Sequence, residues 1–490
     1  MLYNLSKEVY TSSHNIVIYG TGEIGREIFN SLSDNGLENK VMFFLESSPK
    51  EKYFKGKIVK NPDELTNQEI DSCIFIVASI AYANEMLQTL LSVGILNNNI
   101  YPCELIGKHV YIPSELLITK FILYPKVEQE TQLIKLIKKL KWYLPYQERY
   151  PRDIYISLSP SIDINKYYNI LKEHGIKINK EDVQLDNDSL LLIWDKKQGN
   201  NFEINKFKDY TYCIDETYHG GVESVNLAKL FYLTLPLAER NSQKDNSIEK
   251  FILLQKQAIS YNSTLVLGTG PSISQMDYKE LQKHFVVMCN SIVHNVKLLK
   301  NIKNGVMTFS DPAFHLSYNE YSINFRQALT KLVEEKKIFC ITLVEWIPLL
   351  KFYYPRLADY LIGIDIKNLD TFEFPSTNAL HVKNVMNVAT NYMIPIASSL
   401  KKEVYIAGLD GKSNSQDKIW THDNRSQQND LITKVRKTHP SAFRDIIDQE
   451  WYYSSHLKNL KELLEYGESE GNSYTTITKS NISSLIERER

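Results

Sequence analysis

The chain has 490 residues, of which 43% are hydrophobic and 23% charged, a composition typical of a soluble globular protein with about three domains. A formal net charge of −1 gives no basic field for nucleic acid, and no apolar run approaches the ~18 residues of a membrane span. The five scattered cysteines exclude a disulfide framework and a zinc site, and together with the absence of a signal peptide they predict a cytoplasmic protein.

Residues 1–108 alternate predicted strands with predicted helices. The strands are "NIVIYG", "KVMFFLE" and "SCIFIVAS", and the helices are "GREIFNSLSDNG" and "AYANEMLQTLLSVGI". Strands that alternate with helices indicate a parallel sheet covered on both faces. We therefore predict an α/β, Rossmann-like domain. It resembles the small domains attached to bacterial sugar-modifying and polysaccharide enzymes, and this resemblance implies an accessory role.

A first glycine turn opens the helix that follows "NIVIYG". Gly20, Gly22 and Gly25 have the spacing that brings a dinucleotide pyrophosphate close to a helix N-terminus, and Glu46 follows the next strand, where a ribose-binding acid is expected. The alternative is a fold without nucleotide, in which the glycines serve helix–strand packing. The sequence leaves both alternatives open.

Residues 109–248 are predicted to form a connector helix and a small α/β domain. The connector covers about 112–145 and includes "TQLIKLIKKLKWYL", a basic amphipathic helix. Such a helix either contacts the inner membrane peripherally or packs on its own protein. "DIYISLS", "SLLLIWD" and "YTYCIDE" are further strands, and Glu239–Ser247 is predicted to be a polar linker.

Residues 249–490 again alternate strands and helices and contain a second glycine turn. Gly268-Thr269-Gly270-Pro271-Ser272 ends the strand "TLVLG". Pro271 suits the first turn of a helix, and Ser272 adds a hydroxyl near backbone donors, an arrangement suited to phosphate or ribose. The alternative is a plain strand–helix turn.

Polar residues follow the other predicted strands of this segment. They are Asn290, Ser310, Asp311 and Asp410, together with Thr390 and Asn391 at a predicted helix start. Ligands of open parallel sheets bind at the carboxyl ends of the strands. We therefore expect the second glycine turn, and not the first, to be the site that binds a donor.

This order of motifs resembles the bacterial sialyltransferases of glycosyltransferase family 42. The resemblance covers residues 263–485 and is carried by "LGTGPS", "MCNS", "FSDPAF", "VATNYM", "YIAGLDG" and "YYSSHLKNLKELLEY". It implies a single-Rossmann catalytic domain with a lid, and inverting transfer from a CMP-sugar that requires no metal or other cofactor. The flagellin-glycosylating motility accessory factors share much of this core.

The sequence departs from the family at three places. Thr269 and Asp311 stand where the family has asparagines, and a carboxylate at Asp311 would repel a phosphate unless it faces ribose, base or acceptor. The lid segment lacks the family's tyrosines. The side chains that could replace them at the leaving phosphate are Lys412, Trp420, His422, Arg425, His439 and Arg444.

His456 matches the position of the family's general base. Ser454 or Ser455 is predicted to cap the helix "HLKNLKELLEYGE", which would place His456 in its first turn and keep the imidazole neutral. Tyr452 and Tyr453, just before this helix, are candidates to donate to the leaving phosphate, or are packing residues.

The expected partners are a nucleotide-sugar donor and a glycan or glycolipid acceptor, with no nucleic acid, and a homo-oligomer is compatible with the sequence. Two alternatives stay open. One is a transferase of related fold with another donor, as in flagellin glycosylation. The other is a non-catalytic scaffold that binds nucleotide through its N-terminal domain.

Overall fold

The computed structural model describes residues 3–5, 7–79, 82–105, 117–179, 186–195, 210–217, 222–385, 387–412, 422–443 and 446–490. The chain is an α/β protein built on three mostly parallel sheets, as predicted. Every strand quoted above lies in one of these sheets, because each is an apolar run bounded by polar or glycine residues.

The N-terminal unit contains a six-stranded sheet and a small two-stranded one. Its strands are β1 (Tyr3–Asn4), β2 (Asn15–Tyr19), β3 (Val41–Leu45), β4 (Tyr53–Phe54), β5 (Lys57–Lys60), β6 (Cys73–Val77), β7 (Ile100–Pro102) and β8 (Glu104–Leu105). Its helices are α1 (Lys7–Thr11), α2 (Glu23–Asp34), α3 (Asn67–Ser72) and α4 (Ala83–Ser92). The large sheet has the order β4-β5-β3-β2-β6-β7, and the chain reverses direction across it between β2 and β6.

The middle unit is a five-stranded parallel sheet. Its elements are β9 (Lys120–Val127), α5 (Glu130–Tyr143), β10 (Asp153–Leu158), α6 (Ile164–Glu173), β11 (Ile176–Asn179), β12 (Ser189–Ile193), β13 (Thr211–Cys213), α7 (Val222–Leu233) and α8 (Leu237–Ala258). The order β11-β10-β9-β12-β13 makes β9 the central strand. The prediction of a connector is therefore wrong for its described residues, because they include β9, the central strand of this sheet.

The basic helix α5 packs on its own protein. Leu133, Leu136, Ile137 and Leu140 are buried in the core of the middle unit, and the buried Lys139 donates to the carbonyl of Ile214 at 3.0 Å. The apolar face of α5 is thus covered by the protein itself, which is the second of the two arrangements that the sequence left open for this helix. None of the helices within the described ranges is both long and apolar enough to cross a membrane.

The predicted linker is also wrong, because Glu239–Ser247 lies inside α8. Three polar side chains of this segment, Arg240, Gln243 and Ser247, are buried. Arg240 donates to two carbonyls, and the Ser247 hydroxyl accepts from the Gly363 N–H at 2.9 Å. The predicted boundary at residue 248 consequently falls within a continuous helix of 22 residues.

The middle and C-terminal units share one interface. Helix α7 is buried on nearly every side, as expected of a helix enclosed between layers. The indole of Trp142 donates to the carbonyl of Leu316 at 2.6 Å, and the Arg326 guanidinium lies 4.5 Å from the centre of the same ring system.

The C-terminal unit is an eight-stranded parallel sheet. Its strands are β14 (Ser263–Leu267), β15 (Phe285–Cys289), β16 (Gly305–Thr308), β17 (Phe339–Leu343), β18 (Leu361–Lys367), β19 (His381–Lys383), β20 (Glu403–Ala407) and β21 (Ser473–Thr476). Its helices are α9 (Glu280–Lys283), α10 (Val296–Leu299), α11 (Pro312–His315), α12 (Glu320–Lys336), α13 (Ile347–Tyr353), α14 (Ile394–Leu400), α15 (Asn429–Thr438), α16 (Ile446–Ser469) and α17 (Ser483–Ile486).

The strand order of this sheet places a topological switch point beside the second glycine turn, and we call the carboxyl edge of the sheet at this point the crevice. The order is β19-β18-β17-β16-β15-β14-β20-β21, so successive strands run outward from β14 on one side and return at β20 on the other. The loops after β14 and β20 both begin at this switch point, where the Gly270 N–H donates to the Gly408 carbonyl at 2.9 Å. Open parallel sheets bind ligands at such a switch point.

Candidate functional site

The second glycine turn lies at the switch point, but most of its backbone donors are already used. The N–H groups of Gly268 and Gly270 donate to the carbonyls of Ala407 and Gly408, and the Ser272 N–H donates to the Asp410 carboxylate at 2.8 Å. Pro271–Gln275 is a 3₁₀ turn and not the predicted α-helix. The turn therefore presents fewer free donors to a phosphate than the sequence suggested.

The two glycines of this turn permit close contact with the loop after β20. A Cβ on Gly268 would lie 2.3 Å from the carbonyl oxygen of Gly408, and a Cβ on Gly270 would lie 2.4 Å from Asp410 Oδ1. Burial raises the pKa of Asp410, whereas its hydrogen bonds from the Ser272 hydroxyl and N–H lower it. Asp410 thus holds the turn in place.

Thr269 joins the turn to the segment that follows the predicted lid. Its hydroxyl lies 2.6 Å from His422 Nδ1, and its carbonyl accepts from the Asp423 N–H at 2.7 Å. Burial lowers the pKa of His422, so the imidazole is neutral near pH 7. The half-buried ring stands beside the glycine turn, where a ligand can reach it.

Two of the other lid candidates, Arg425 and Lys412, lie among the described residues. Arg425 forms a bidentate pair with Asp423 and donates to the Tyr278 hydroxyl at 3.0 Å. The backbone N–H of Lys412 donates to the Tyr453 hydroxyl at 2.8 Å. Trp420 and Arg444 lie outside the described residues.

Asn290 follows β15 in the left-handed region, with φ of 45°, which asparagine tolerates better than most residues. Its Oδ1 atom is buried and has no hydrogen-bond partner in the described part of the chain. His294 ends the same turn, and burial lowers its pKa to about 4. Asn290 therefore offers an acceptor beside β14 for a ligand's amino or hydroxyl group.

Ser310 and Asp311 follow β16. Asp311 caps α11 by accepting from the N–H groups of Ala313 and Phe314 at 3.0 and 3.4 Å, and it is exposed. Ser310 is half-buried beside it. The polar end predicted for this strand is present, and the capping role of Asp311 was not anticipated.

Thr390 and Asn391 face the protein. They lie in a π-helical turn, Ala389–Met393, and are 1% and 4% exposed. The Asn391 Oδ1 accepts from the Val385 N–H at 2.8 Å, and the Thr390 hydroxyl donates to the Asn387 carbonyl. These groups stabilise the turn and are not presented to the crevice.

His456 lies ten residues into α16 and not in its first turn, so the predicted cap and helix-end effect are wrong. The residue is only 3% exposed, and burial, rather than a helix end, lowers its pKa to about 4. Tyr452 and Tyr453 also lie inside α16, one turn earlier. Burial raises the pKa of Tyr452 to about 12, and the nearby Asp311 charge adds to the increase.

A buried chain of polar side chains joins the middle unit to the C-terminal unit. Glu223 Oε1 lies 2.5 Å from His439 Nδ1, and His439 Nε2 lies 2.8 Å from the Ser317 hydroxyl. All three residues are fully buried, so His439 does not face the crevice as a lid residue would. Desolvation raises the pKa of Glu223, and His439 opposes the increase.

The first glycine turn also lies at a switch point, between β2 and β6. A Cβ on Gly25 would lie 1.9 Å from the Gly20 oxygen, so this glycine is required for helix–strand packing. A Cβ on Gly22 would meet no atom of the described chain within 4 Å, and Glu46 directly follows β3. Gly22 thus borders open space at the end of the sheet.

Comparison with protein families matches residues 12–101 to the family described as "C2185-like, N-terminal". The match covers the N-terminal Rossmann-like unit alone. Comparison with curated proteins gives no match. Within the described ranges, no three His, Cys, Asp or Glu side chains are grouped as a metal site would require.

Proposed function

We propose that this chain is a glycosyltransferase that moves an acidic, nonulosonic-type sugar from a CMP-sugar to a bacterial surface glycan or glycolipid at the cytoplasmic face of the membrane. The observation that carries the proposal is the switch-point crevice, where Thr269, Asn290 and Asp311 follow three neighbouring strands. The family 42 motifs, which lie in the same order along the chain, support a CMP-sugar as the donor.

The residues around the crevice suggest how the donor would be held. The free Oδ1 of Asn290 would accept from a cytosine amino group or a ribose hydroxyl. His422, beside Thr269, would donate to the leaving phosphate, with Arg425 close by in the same segment. The resemblance implies inverting, metal-independent transfer and assigns the acceptor's proton to His456.

Thermal unfolding with CMP, CDP, UDP, GDP and NAD tests this proposal. A ligand at about 100 times its Kd stabilises a folded protein by about 2.7 kcal/mol, which raises an unfolding temperature by several degrees. We expect CMP to stabilise the C-terminal unit selectively, and a panel of CMP-sugars to release CMP in the presence of acceptor. Selective stabilisation by UDP or GDP would instead indicate a related transferase with another donor.

The second candidate function is nucleotide binding by the N-terminal unit, as a regulator or scaffold. The open space beside Gly22 at the β2–β6 switch point favours it. In that case NAD or another nucleotide would stabilise the N-terminal transition, a Gly22→Trp variant would abolish the effect, and no CMP-sugar would be turned over.

A further inference from the structure

Asp311 lies at a suitable distance from the proposed donor site to contact an acceptor. It follows β16, and the sheet order β16-β15-β14 places it two strands from the glycine turn. Neighbouring strands lie ~4.8 Å apart, so the two strand ends are separated by about 10 Å. One sugar ring fits between a phosphate at the turn and a hydroxyl at Asp311.

The carboxylate is held in one orientation with one oxygen available. Both capping hydrogen bonds, from the N–H groups of Ala313 and Phe314, end on Oδ1. The Asp311 N–H donates to His315 Nδ1 at 3.2 Å, which fixes the backbone at the same point. Since Asp311 is exposed, Oδ2 can accept a hydrogen bond from a ligand.

The surroundings of Asp311 make it a better proton acceptor than an ordinary aspartate. Although the residue is open to solvent, the protein around the carboxyl group desolvates its charged form and so raises the pKa of Asp311. The charge of Glu223 also raises this pKa, whereas the two capping N–H groups and His439 lower it. The titratable groups that face Asp311 are His315, Tyr321, His439, Glu223 and Tyr452. A base whose pKa lies closer to neutral is more effective near pH 7.

His456 has the opposite position. It is 3% exposed, whereas Asp311 is exposed, and it lies in the middle of α16. An acceptor hydroxyl cannot reach this imidazole unless α16 moves. Of these two residues, Asp311 is therefore the base that an acceptor can reach.

We propose that Asp311, in place of the His456 that the resemblance implies, binds the acceptor hydroxyl and is the catalytic base of the transfer, an inference that otherwise rests on the proposed function. Oδ2 takes the hydroxyl proton while the acceptor oxygen forms a bond to the anomeric carbon. The bond between the anomeric carbon and the donor phosphate oxygen breaks, and its electron pair leaves with the phosphate of CMP. No further reactant is needed for this step to balance.

The test compares Asp311→Asn with His456→Gln. Asparagine keeps the Oδ1 that caps α11, so the fold should be preserved, but an amide cannot take the proton. Asp163→Asn is the matched control, because Asp163 likewise caps a helix, α6, in the middle unit. The assay measures CMP release from CMP-N-acetylneuraminate with a β-galactoside acceptor, from pH 4 to pH 9, and CMP affinity by calorimetry.

We expect Asp311→Asn to lower kcat by ~10²–10⁴-fold, to lose the acid limb of the pH profile and to keep its CMP affinity. His456→Gln should keep the acid limb, and Asp163→Asn should match the unaltered protein. If Asp311→Asn kept both its turnover and the acid limb, the assignment of the base would be overturned and the proposed function would stand. Absence of CMP binding and release by the unaltered protein would overturn the proposed function together with it.

Discussion

Replacing Gly270 with alanine should loosen the turn after β14 without straining the backbone. Gly270 has φ of −62° and ψ of 153°, which any residue adopts, so the effect of the substitution is purely steric. The new Cβ would lie 2.4 Å from Asp410 Oδ1 and 2.8 Å from the Gly408 oxygen. Real Cβ contacts do not occur at such distances, so the Asp410 carboxylate must move away.

The cost has two parts. Over-packing at a well-packed position costs about 1–3 kcal/mol, and weakening a hydrogen bond to a charged group adds about 1–2 kcal/mol. Displaced Asp410 would weaken both of its hydrogen bonds from Ser272. We therefore expect the C-terminal unit to lose about 2–5 kcal/mol of unfolding free energy, and the proposed donor site to lose CMP affinity through distortion of the turn, not through contact with the ligand.

Urea denaturation followed by circular dichroism would measure the shift in the midpoint of the C-terminal transition. Gly22→Ala, whose Cβ meets open space, is the matched control and should cost less than about 1 kcal/mol. In the Asp410→Ala background, Gly270→Ala should cost less, because the clashing carboxylate is gone. An equal cost in both backgrounds would refute the assigned clash.

Three further predictions concern buried groups. His439→Ala should cost about 3–5 kcal/mol in urea unfolding, because it leaves the fully buried Glu223 uncompensated; a loss below 1 kcal/mol would contradict this. Burial lowers the pKa of His294 from 6.5 to about 4, so between these two pH values the unfolded state binds a proton that the folded state does not. The unfolding temperature should therefore drop as the pH falls from 6.5 to about 4, and it should drop less in His294→Leu. Gly25→Ala should unfold the N-terminal unit at lower urea, because its Cβ would lie 1.9 Å from the Gly20 oxygen; an unchanged midpoint would argue against that contact.

Local patterns were sufficient to predict the fold class and the strand ends from which the proposed site is built. Buried strands are continuous apolar runs, and the glycines after "NIVIY" and "STLVL" mark their carboxyl ends, so both signals lie within a few residues of each other. The sequence likewise placed Asn290 and Asp311 at strand ends. These are properties of short segments, and tertiary contacts did not alter them.

The sequence determined the ends of helices less well than the strands. Glu239–Ser247 mixes strong helix formers with asparagine, serine and aspartate residues, which also suit loops. In the structure, buried Arg240 and Ser247 of this segment bond to groups outside α8. His456 is interior to α16 because the helix begins at Ile446, before the serines that were expected to cap it.

Only the tertiary structure decided which polar groups are free to bind a ligand. Ser272 and Asp410 are 138 residues apart, Thr269 and His422 are 153 apart, and Glu223 and His439 are 216 apart. A buried polar group must find a hydrogen-bond partner, and that partner can come from any distance along the chain. The fold therefore uses the glycine turn and His439 for internal bonds. It leaves the buried Oδ1 of Asn290 without a partner among the described residues, and it leaves Asp311 exposed after β16.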